Sequence, residues 1–401
     1  MEATSPAKPR KKKKKKRKKP RSYFYRISAW LHLWLGLISG IVVVIVSLTA
    51  AILTFEQEIK NVTEPFQNIE YNETDEFLPP SRLKNAVMEE YSFPSVYSVV
   101  YRGAGKSALV PYYANRTNYQ EVYVNPYTGE VLHNRKLNDD FWRSMIIGHY
   151  QLWLPRSIGK PIVAYGTLIF VIALLTGLVL WWPKRWNKRT KEASFKIKWT
   201  AKFKRLNYDL HNVLGFYSLL IALVLGLTGM VYGMQWFSDA AYWAASGGEN
   251  RNTKSLISDT TAVSTTNLPE EDILFQNVMQ SGIDPNDNSI NIQFPRGETG
   301  VWNVGINPSF ETRWQSINTS YNQNSLETLK EEPRFPELNG GDQLMKLNYD
   351  LHVGAIGGIW TKIIAFLVCL ISASLPITGF IVWWKKSKNK RFKALKFPSY
   401  K

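Results

Sequence analysis

The sequence predicts an all-α membrane bundle of four helices that carries two α+β modules outside the membrane. Three observations favour this fold class: four long apolar windows, an uneven distribution of charge between them, and strand-like alternation in the two longest connections. The chain has 401 residues and a formal net charge of +18. Its single cysteine, Cys369, lies in an apolar window, which excludes an intramolecular disulfide and a metal site built from several thiolates.

Four windows contain no Asp, Glu, Lys or Arg, and each is long enough to cross a membrane. A helix that rises 1.5 Å per residue needs about 20 residues to cross about 30 Å of hydrocarbon. The windows cover residues 27–55, 161–183, 210–238 and 363–384, and the fourth transmembrane segment is set at 351–384. The first window is too long for the apolar core of a cleaved signal peptide. A chain with four spans is polytopic, which excludes a soluble enzyme.

The charged residues between the windows predict that both chain ends lie in the cytoplasm. The tails 1–26 and 385–401 and the loop 184–209 together hold 31 basic and three acidic side chains. The connections 56–158 and 239–350 hold more acidic than basic side chains. Because cytoplasmic segments of membrane proteins carry an excess of Lys and Arg, the tails and the loop are predicted to be cytoplasmic and both long connections to lie outside.

The run of Lys and Arg at 8–21 raises the question of a nucleic-acid partner. The folded, aromatic-interleaved surface that reads bases is missing beside it. A basic block next to a first span serves orientation and contact with anionic lipid. The lipid bilayer is therefore the expected partner and no nucleic acid is expected, with an acidic cytosolic protein as the alternative.

Both long connections have the pattern of small α+β modules. In the first, residues 120–131 read QEVYVNPYTGEV, where alternating valines, an Asn-Pro-Tyr-Thr-Gly turn and a further valine predict strand, tight turn and strand. Residues 81–91 have helical spacing, and residues 97–101 have the pattern of a strand. In the second connection, alternating runs separated by Gly or Pro lie at 289–294, 300–306 and 312–318. Each connection therefore predicts one α+β module.

An internal repeat predicts that the chain consists of two duplicated halves. Residues 205–211 read RLNYDLH, and residues 346–352 read KLNYDLH. Each copy stands at the entrance to an apolar span, and a seven-residue match with one conservative change is improbable by chance. Duplicated halves, each with two spans around one module, are a common arrangement in membrane proteins.

Four of the five histidines stand at the entrances to the spans. His32 and His211 lie at the predicted cytoplasmic face, and His149 and His352 lie at the outer face, whereas His133 belongs to the first module. Neutral imidazole from a helix is the usual ligand of a b-type haem iron, and a bis-His site needs two rings that approach from opposite sides. The positions therefore predict two bis-His haem b sites, one for each pair.

Glycines beside the histidines favour the same interpretation. Gly36 and Gly215 each follow a predicted cytoplasmic-side histidine by four residues, which puts them on the same helix face and leaves room for a flat macrocycle. Span histidines also serve as metal-transport ligands, pH sensors or plain interfacial residues. Metal transport would also need carboxylates within the spans, and the four windows contain none.

Three segments resemble those of the PepSY-associated transmembrane family, the iron-regulated membrane proteins that include siderophore-iron reductases. The segments are HYQLWLPRSIGKPIVAYGTLIFVIALLTGLVLWWPK at 149–184, WLHLWLGLISG at 30–40 and VYVNPYTGEVL at 122–132. The resemblance covers all four spans and at least the first module. The second module departs from the pattern, because GETGVWNVGINPSFETRWQS at 297–316 matches the turn of the first only loosely.

The resemblance implies a bacterial inner-membrane protein with periplasmic PepSY-like modules that reduces a ferric siderophore outside the cytoplasm. The positions that match the span histidines of the family, and so would bind haem, are His32, His149, His211 and His352. Oxygen-rich chelators hold ferrous iron less tightly than ferric iron, so reduction would release it. The chain has no Gly-x-Gly-x-x-Gly after a strand, so the electron donor is expected to be a separate cytosolic protein or a quinol. The alternative is a membrane-anchored PepSY protein with a binding, inhibitory or sensory role and no redox activity.

Overall fold

The computed structural model describes residues 21–115, 118–252, 254–261 and 267–395. The rest of the predicted basic tails, residues 1–20 and 396–401, lies outside these ranges. The helices are α1 (Tyr23–Leu53), α2 (Glu56–Thr63), α3 (Pro80–Tyr91), α4 (Phe141–Gln151), α5 (Arg156–Trp181), α6 (Lys188–Phe195), α7 (Phe203–Asp209), α8 (Gly215–Gly233), α9 (Gln235–Ala245), α10 (Glu270–Gln280), α11 (Gly340–Val353) and α12 (Gly358–Leu395). The strands are β1 (Ser98–Tyr101), β2 (Ala108–Asn115), β3 (Asn118–Val124), β4 (Val131–Lys136), β5 (Ser289–Gln293), β6 (Val301–Asn307), β7 (Ile317–Asn322) and β8 (Thr328–Glu331).

Four helical stretches of the described chain are long and apolar enough to cross a membrane, as the sequence predicts. They cover Tyr23–Leu53, Arg156–Trp181, Phe203–Gly233 and Gly358–Lys385. The last differs from the predicted segment 351–384, because Gly354 takes a left-handed backbone with a φ of 75° and ends α11. Only glycine adopts this conformation without strain. His352 therefore lies on α11, a separate helix ahead of the long one.

The four long helices form a closed ring. α1 packs against α5 and α12, and α8 packs against the same two helices. A Cβ added at Gly166 of α5 would come within 2.9 Å of Val42 on α1, and one at Gly226 of α8 would come equally close to Val171 on α5. Small residues allow membrane helices to approach closely, so these glycines bring α5 against both of its neighbours.

The strands form one antiparallel sheet in the order β4-β3-β2-β1-β5-β6-β7-β8. Each predicted module supplies four consecutive strands, and the two sets meet where β1 pairs with β5, with Val99 opposite Ile292 and Tyr101 opposite Ile290. Each half alone would leave its first strand at an edge with unpaired backbone groups. The two predicted modules are therefore halves of a single sheet.

Helices α3 and α10 cover one face of this sheet and, with it, form the sheet domain. The core between them contains fully buried side chains from both halves, among them Leu83, Val99, Leu274 and Ile292. Asp272 of α10 accepts hydrogen bonds from the backbone N–H and the hydroxyl of Ser81 on α3, at 2.8 and 2.6 Å. This contact joins the two halves on the helical side, as the β1–β5 pair joins them within the sheet.

The predicted strands agree with the structure except in one place. Strands β1, β5 and β6 lie where alternation predicts them, and the helix predicted at 81–91 is α3. The run at 312–318 is wrong as a strand, since β7 begins only at Ile317. The backbone N–H groups of Arg313 and Trp314 instead donate to the carboxylate of Asp350 on α11, so residues 312–316 are part of a loop.

Candidate functional site

The four span-entrance histidines lie together in two pairs. The ring centres of His32 and His211 are 6.0 Å apart, and those of His149 and His352 are also 6.0 Å apart. These are the pairs that the sequence predicts. We call His149 and His352 the sheet-side pair, because α4 and α11 connect the sheet domain to the bundle, and His32 and His211 the distal pair.

The fifth histidine has a different setting. His133 lies on β4, exposed at the surface, and its ring stacks on Phe66 at a centre distance of 4.1 Å. Partial burial, followed by the charge of Arg135, lowers the pKa of His133. Because it lies in the sheet domain and outside both pairs, His133 is a natural control residue.

The two pairs lie at different levels of the bundle. His32 and Val46, the α1 residue to which His149 hydrogen bonds, are fourteen residues apart in the chain. His211 and Leu225, the residue to which His352 hydrogen bonds, are separated by the same number. Fourteen residues of helix correspond to about 21 Å along the axis. The pairs are therefore about 21 Å apart along α1. The interval in residues is the same in the second half, where His211 lies in a π-helical turn, Leu210–Leu214, between α7 and α8.

Each histidine is fixed by a backbone carbonyl group of a neighbouring helix. The Nδ1 atoms of His32, His149, His211 and His352 lie 2.9, 3.0, 3.1 and 3.2 Å from the carbonyl oxygens of Ala173, Val46, Leu375 and Leu225. A carbonyl oxygen only accepts, so each Nδ1 carries the hydrogen and donates it. Each Nε2 atom then keeps its lone pair. This Nδ1-protonated tautomer is one that can bind a metal through Nε2.

A threonine hydroxyl stands beside each of these contacts, three residues after the accepting carbonyl. The Oγ1 atoms of Thr176, Thr49, Thr378 and Thr228 lie 3.4, 3.3, 3.0 and 3.0 Å from the Nδ1 atoms of His32, His149, His211 and His352. Each hydroxyl donates to a carbonyl of its own helix, so its oxygen is free to accept from the imidazole. Each of the four rings is therefore held by its own carbonyl group and its own threonine hydroxyl.

A glycine follows three of the four threonines and lets the ring approach. Added Cβ atoms at Gly177, Gly379 and Gly229 would lie 3.1, 3.1 and 3.2 Å from the Cε1 atoms of His32, His211 and His352, closer than ordinary contact. The fourth threonine is followed by Ala50. The threonines and glycines were not among the predicted site residues, although a Thr-Gly or Thr-Ala dipeptide recurs in all four spans. It reads Leu-Thr-Gly at 175–177 and 227–229, Ile-Thr-Gly at 377–379 and Leu-Thr-Ala at 48–50.

A cavity of about 400 Å³ adjoins the distal pair. Its lining includes both histidines, Gly36, Gly215 and the aromatic side chains of Trp181 and Phe216. A Cβ at Gly36 would meet nothing within 4 Å, and one at Gly215 would meet a methyl group of Leu375 at 3.4 Å. The two predicted glycines therefore border open space beside the distal pair.

The two copies of the repeated heptapeptide hydrogen bond to two of these threonines. Asn207 donates from Nδ2 to the carbonyl oxygen of Thr378 at 3.0 Å, and Asn348 donates to that of Thr228 at 3.3 Å. In each copy the asparagine precedes the histidine by four residues, so both side chains lie on one helix face. Each repeat therefore holds one threonine of the partner helix at two points.

The separation of the ring centres in each pair is close to that of two imidazoles on one iron. Because an imidazole nitrogen binds a first-row transition metal at about 2.0–2.1 Å and the ring centre lies about 1.1 Å beyond it, rings on opposite sides of one iron have centres about 6.2 Å apart. The observed separation is 6.0 Å in both pairs. Within the described ranges no group of three or more His, Cys, Asp or Glu side chains could hold a metal ion. Two imidazoles fit an iron whose other four ligands come from a macrocycle better than they fit a bare ion.

No curated protein matches the chain. A family model, described as the PepSY-associated TM region, matches residues 29–386. The matched region contains all four paired histidines, their threonines and both halves of the sheet. It covers most of the 401 residues, and the chain therefore belongs to the PepSY-associated transmembrane family.

Proposed function

We propose that the chain holds two b-type haems, one within each histidine pair, and passes electrons across the membrane to a ferric siderophore, which releases its iron on reduction. The observation that carries this proposal is the double pair, with a 6.0 Å separation of ring centres at both levels. A bis-His haem iron has no open position for substrate, so it would supply electron transfer rather than chemistry at the metal.

The protein's own groups prepare the four imidazoles for this role. The carbonyl and the threonine hydroxyl beside each Nδ1 hold the proton on that atom and leave Nε2 as the ligand. A hydrogen bond from Nδ1–H to an acceptor also raises the basicity of the ligand nitrogen. The glycines after three of the threonines let the rings of His32, His211 and His352 lie close to the partner helix. Every ring is therefore fixed in tautomer and orientation by residues of a second helix.

The positions of the two histidine pairs support electron transfer from one side of the membrane to the other. The two pairs are about 21 Å apart along the helix axis, toward opposite ends of the ring of long helices. The basic tails and loop support a cytoplasmic position for the distal pair, and the acidic connections support a periplasmic sheet domain in a bacterial inner membrane. A cytosolic protein or a quinol would donate electrons on the distal side, and the siderophore would accept them on the sheet side.

The two halves of the molecule support the proposed internal duplication. In α1 a histidine is followed after four residues by Gly36 and after seventeen by Thr49. The same intervals separate His211 from Gly215 and from Thr228. Each half also supplies four consecutive strands of the sheet. A single ancestral unit of two spans and one α+β module accounts for both patterns.

The absorption spectrum of the purified protein tests the proposal. We expect a red protein with a sharp reduced α-band and two haems per chain. Alanine at any one of the four paired histidines should lower the haem content, and His133→Ala should leave it unchanged. Colourless protein from haem-replete cells, or equal haem content in all five variants, would refute the assignment and favour an anchored PepSY protein with a binding, inhibitory or sensory role.

A further inference from the structure

The two copies of the repeat differ at one position, which is Arg205 in the first and Lys346 in the second. In each copy this residue and an aspartate four residues later share one helix face. The asparagine and histidine that grip the partner helix lie two residues further along, on roughly the opposite face. The basic residue and the aspartate are therefore turned away from the histidine site and toward other parts of the molecule.

In the first copy the aspartate contacts the arginine of its own repeat. Arg205 donates from Nε to a carboxylate oxygen of Asp209 at 2.9 Å. Asp209 is fully buried, and its contact with the neighbouring loop is the backbone N–H of Lys198, at 3.4 Å. The buried carboxylate near the distal histidine His211 therefore contacts Arg205 of its own helix and one backbone N–H of the loop at 184–209.

In the second copy both side chains hold a loop of the sheet domain instead. Lys346 donates from Nζ to the carbonyl of Ser316 at 2.6 Å and to Glu332 at 3.0 Å. The carboxylate of Asp350, also fully buried, accepts the backbone N–H groups of Arg313 and Trp314 at 2.8–3.0 Å. In the second copy, with Lys346, the carboxylate of Asp350 accepts from the loop. In the first copy, Arg205 donates to the corresponding carboxylate of Asp209.

The loop in question, residues 308–316, connects β6 to β7 and reaches across the sheet. The ring of Phe310 lies 4.7 Å from the guanidinium carbon of Arg102, which directly follows β1 in the other half. The guanidinium of Arg313 lies 3.8 Å from the ring of Tyr349 on α11. The β6–β7 loop therefore contacts the other half of the sheet at one end and the helix of His352 at the other.

We infer that Asp350 is a positioning residue that ties His352, and with it the sheet-side pair, to the β6–β7 loop, whereas Asp209 leaves the distal pair independent of the sheet domain. The two copies therefore differ both at their first residue, Arg205 against Lys346, and in the segment that the aspartate contacts. A ligand that shifts the β6–β7 loop then changes the sheet-side site alone. The consequence for a bound haem rests on the proposed function, but the tie itself does not.

Hydrogen exchange of the full-length protein in detergent tests the contact between Asp350 and the β6–β7 loop, and this measurement needs no cofactor. In Asp350→Asn, exchange at the amides of Arg313 and Trp314 should accelerate about tenfold or more, because two N–H groups lose a charged acceptor. Asp209→Asn is the matched control and should leave both amides unchanged. Lys346→Arg should act like Asp350→Asn, since an arginine at this position draws the carboxylate back into its own helix.

The electronic signature of each site measures the consequence for the histidines. In Asp350→Asn and Lys346→Arg, the paramagnetic resonance signal and midpoint potential of the sheet-side site should shift and those of the distal site should stay. A general loss of stability would instead shift the resonance signals and midpoint potentials of both sites. Unchanged exchange at Arg313 and Trp314 in both variants, or equal shifts of both sites, would overturn the inference. If the wild type binds no haem, the proposed function fails, and the exchange comparison still decides whether the tie exists.

Discussion

The Nδ1 atom of His32 lies 2.9 Å from the carbonyl oxygen of Ala173 on the neighbouring helix. The same relationship, a span histidine that donates to a carbonyl one helix away with a threonine three residues further on, occurs at all four paired histidines. Since the backbone provides the carbonyl, only the threonine can be altered by substitution. The threonines therefore offer the most direct test of how the imidazoles are held.

Replacement of Thr378 by valine should weaken the distal site without unfolding the bundle. Valine keeps the shape of threonine but removes the oxygen that lies 3.0 Å from Nδ1 of His211. Loss of such an outer contact typically lowers metal affinity by about 10–100-fold. Titration of haem into haem-depleted protein measures the change. Thr167→Val is the control, because the hydroxyl of Thr167 donates to the Val163 carbonyl of its own helix, and equal affinities of the two variants would contradict the prediction.

Replacement of Gly36 by alanine should separate folding from occupancy of the cavity. A Cβ at this position meets nothing within 4 Å, and alanine is favoured over glycine in a helix by about 1 kcal/mol. The haem-free variant should therefore be at least as stable to heat as the wild type. Its distal site should bind haem more weakly, because the methyl group enters the space that a macrocycle needs. Haem content at the sheet-side site is the internal control, and full occupancy of both sites would show that the cavity does not hold the macrocycle beside Gly36.

Features that depend on a single segment, such as the spans and the positions of the histidines, could be predicted from the sequence. Contacts between segments that are distant in the chain could not. The spans follow from apolar length, and the pairs follow from which ends of those spans carry His32, His149, His211 and His352. The hydrogen-bond acceptors of the histidines lie on other helices, so no local pattern shows them. The one sequence signal for them is the Thr-Gly or Thr-Ala dipeptide, which recurs once in each span.

The joined sheet was missed for a similar reason. Strand alternation shows which residues face the core, but Val99 and Ile292 are almost two hundred residues apart, and nothing local shows that they are neighbours. The run at 312–318 alternates well enough to be a strand. It is a loop because Asp350, on a helix that follows the sheet, takes the backbone N–H groups of Arg313 and Trp314.

Replacement of Asp272 by alanine should destabilise both halves of the sheet domain together. Asp272 is buried and accepts two hydrogen bonds from Ser81, so the variant leaves two buried donors without an acceptor. We expect the free energy of unfolding to fall by about 2–4 kcal/mol. Hydrogen exchange at the amides of the buried strand residues Val99 and Ile292, measured over a range of urea concentrations, gives this free energy for each half. Asp287→Ala, at an exposed position, should change it little, and two separate transitions in the wild type would show that the halves fold independently.

A reporter fused to the C-terminus should be active in the cytoplasm. The prediction follows from the 31 basic and three acidic side chains of the tails and the loop at 184–209, which resist transfer across the membrane. A second fusion at exposed Asn252, in the connection between α9 and α10, should be active only in the periplasm. A C-terminal fusion that works only in the periplasm would invert the proposed topology and exchange the roles of the two histidine pairs.

The two pairs should differ in the direction from which they can be reduced. His352→Ala removes one imidazole of the sheet-side pair, and His32→Ala removes one of the distal pair. If the sites act in series, both variants should lose reduction of an external ferric chelate, but for different reasons.

Spectra of sealed, oriented vesicles distinguish the two reasons. In His352→Ala, the remaining distal site should be reduced from the cytoplasmic side and should reoxidise slowly when the external chelate is added. In His32→Ala, the remaining sheet-side site should stay oxidised with the cytoplasmic donor alone, yet dithionite should reduce it. The separation of about 21 Å along the helix axis is the physical reason, because without the distal site the donor is too far from the sheet-side pair. Identical responses of the two variants would mean that the pairs do not form a transmembrane relay.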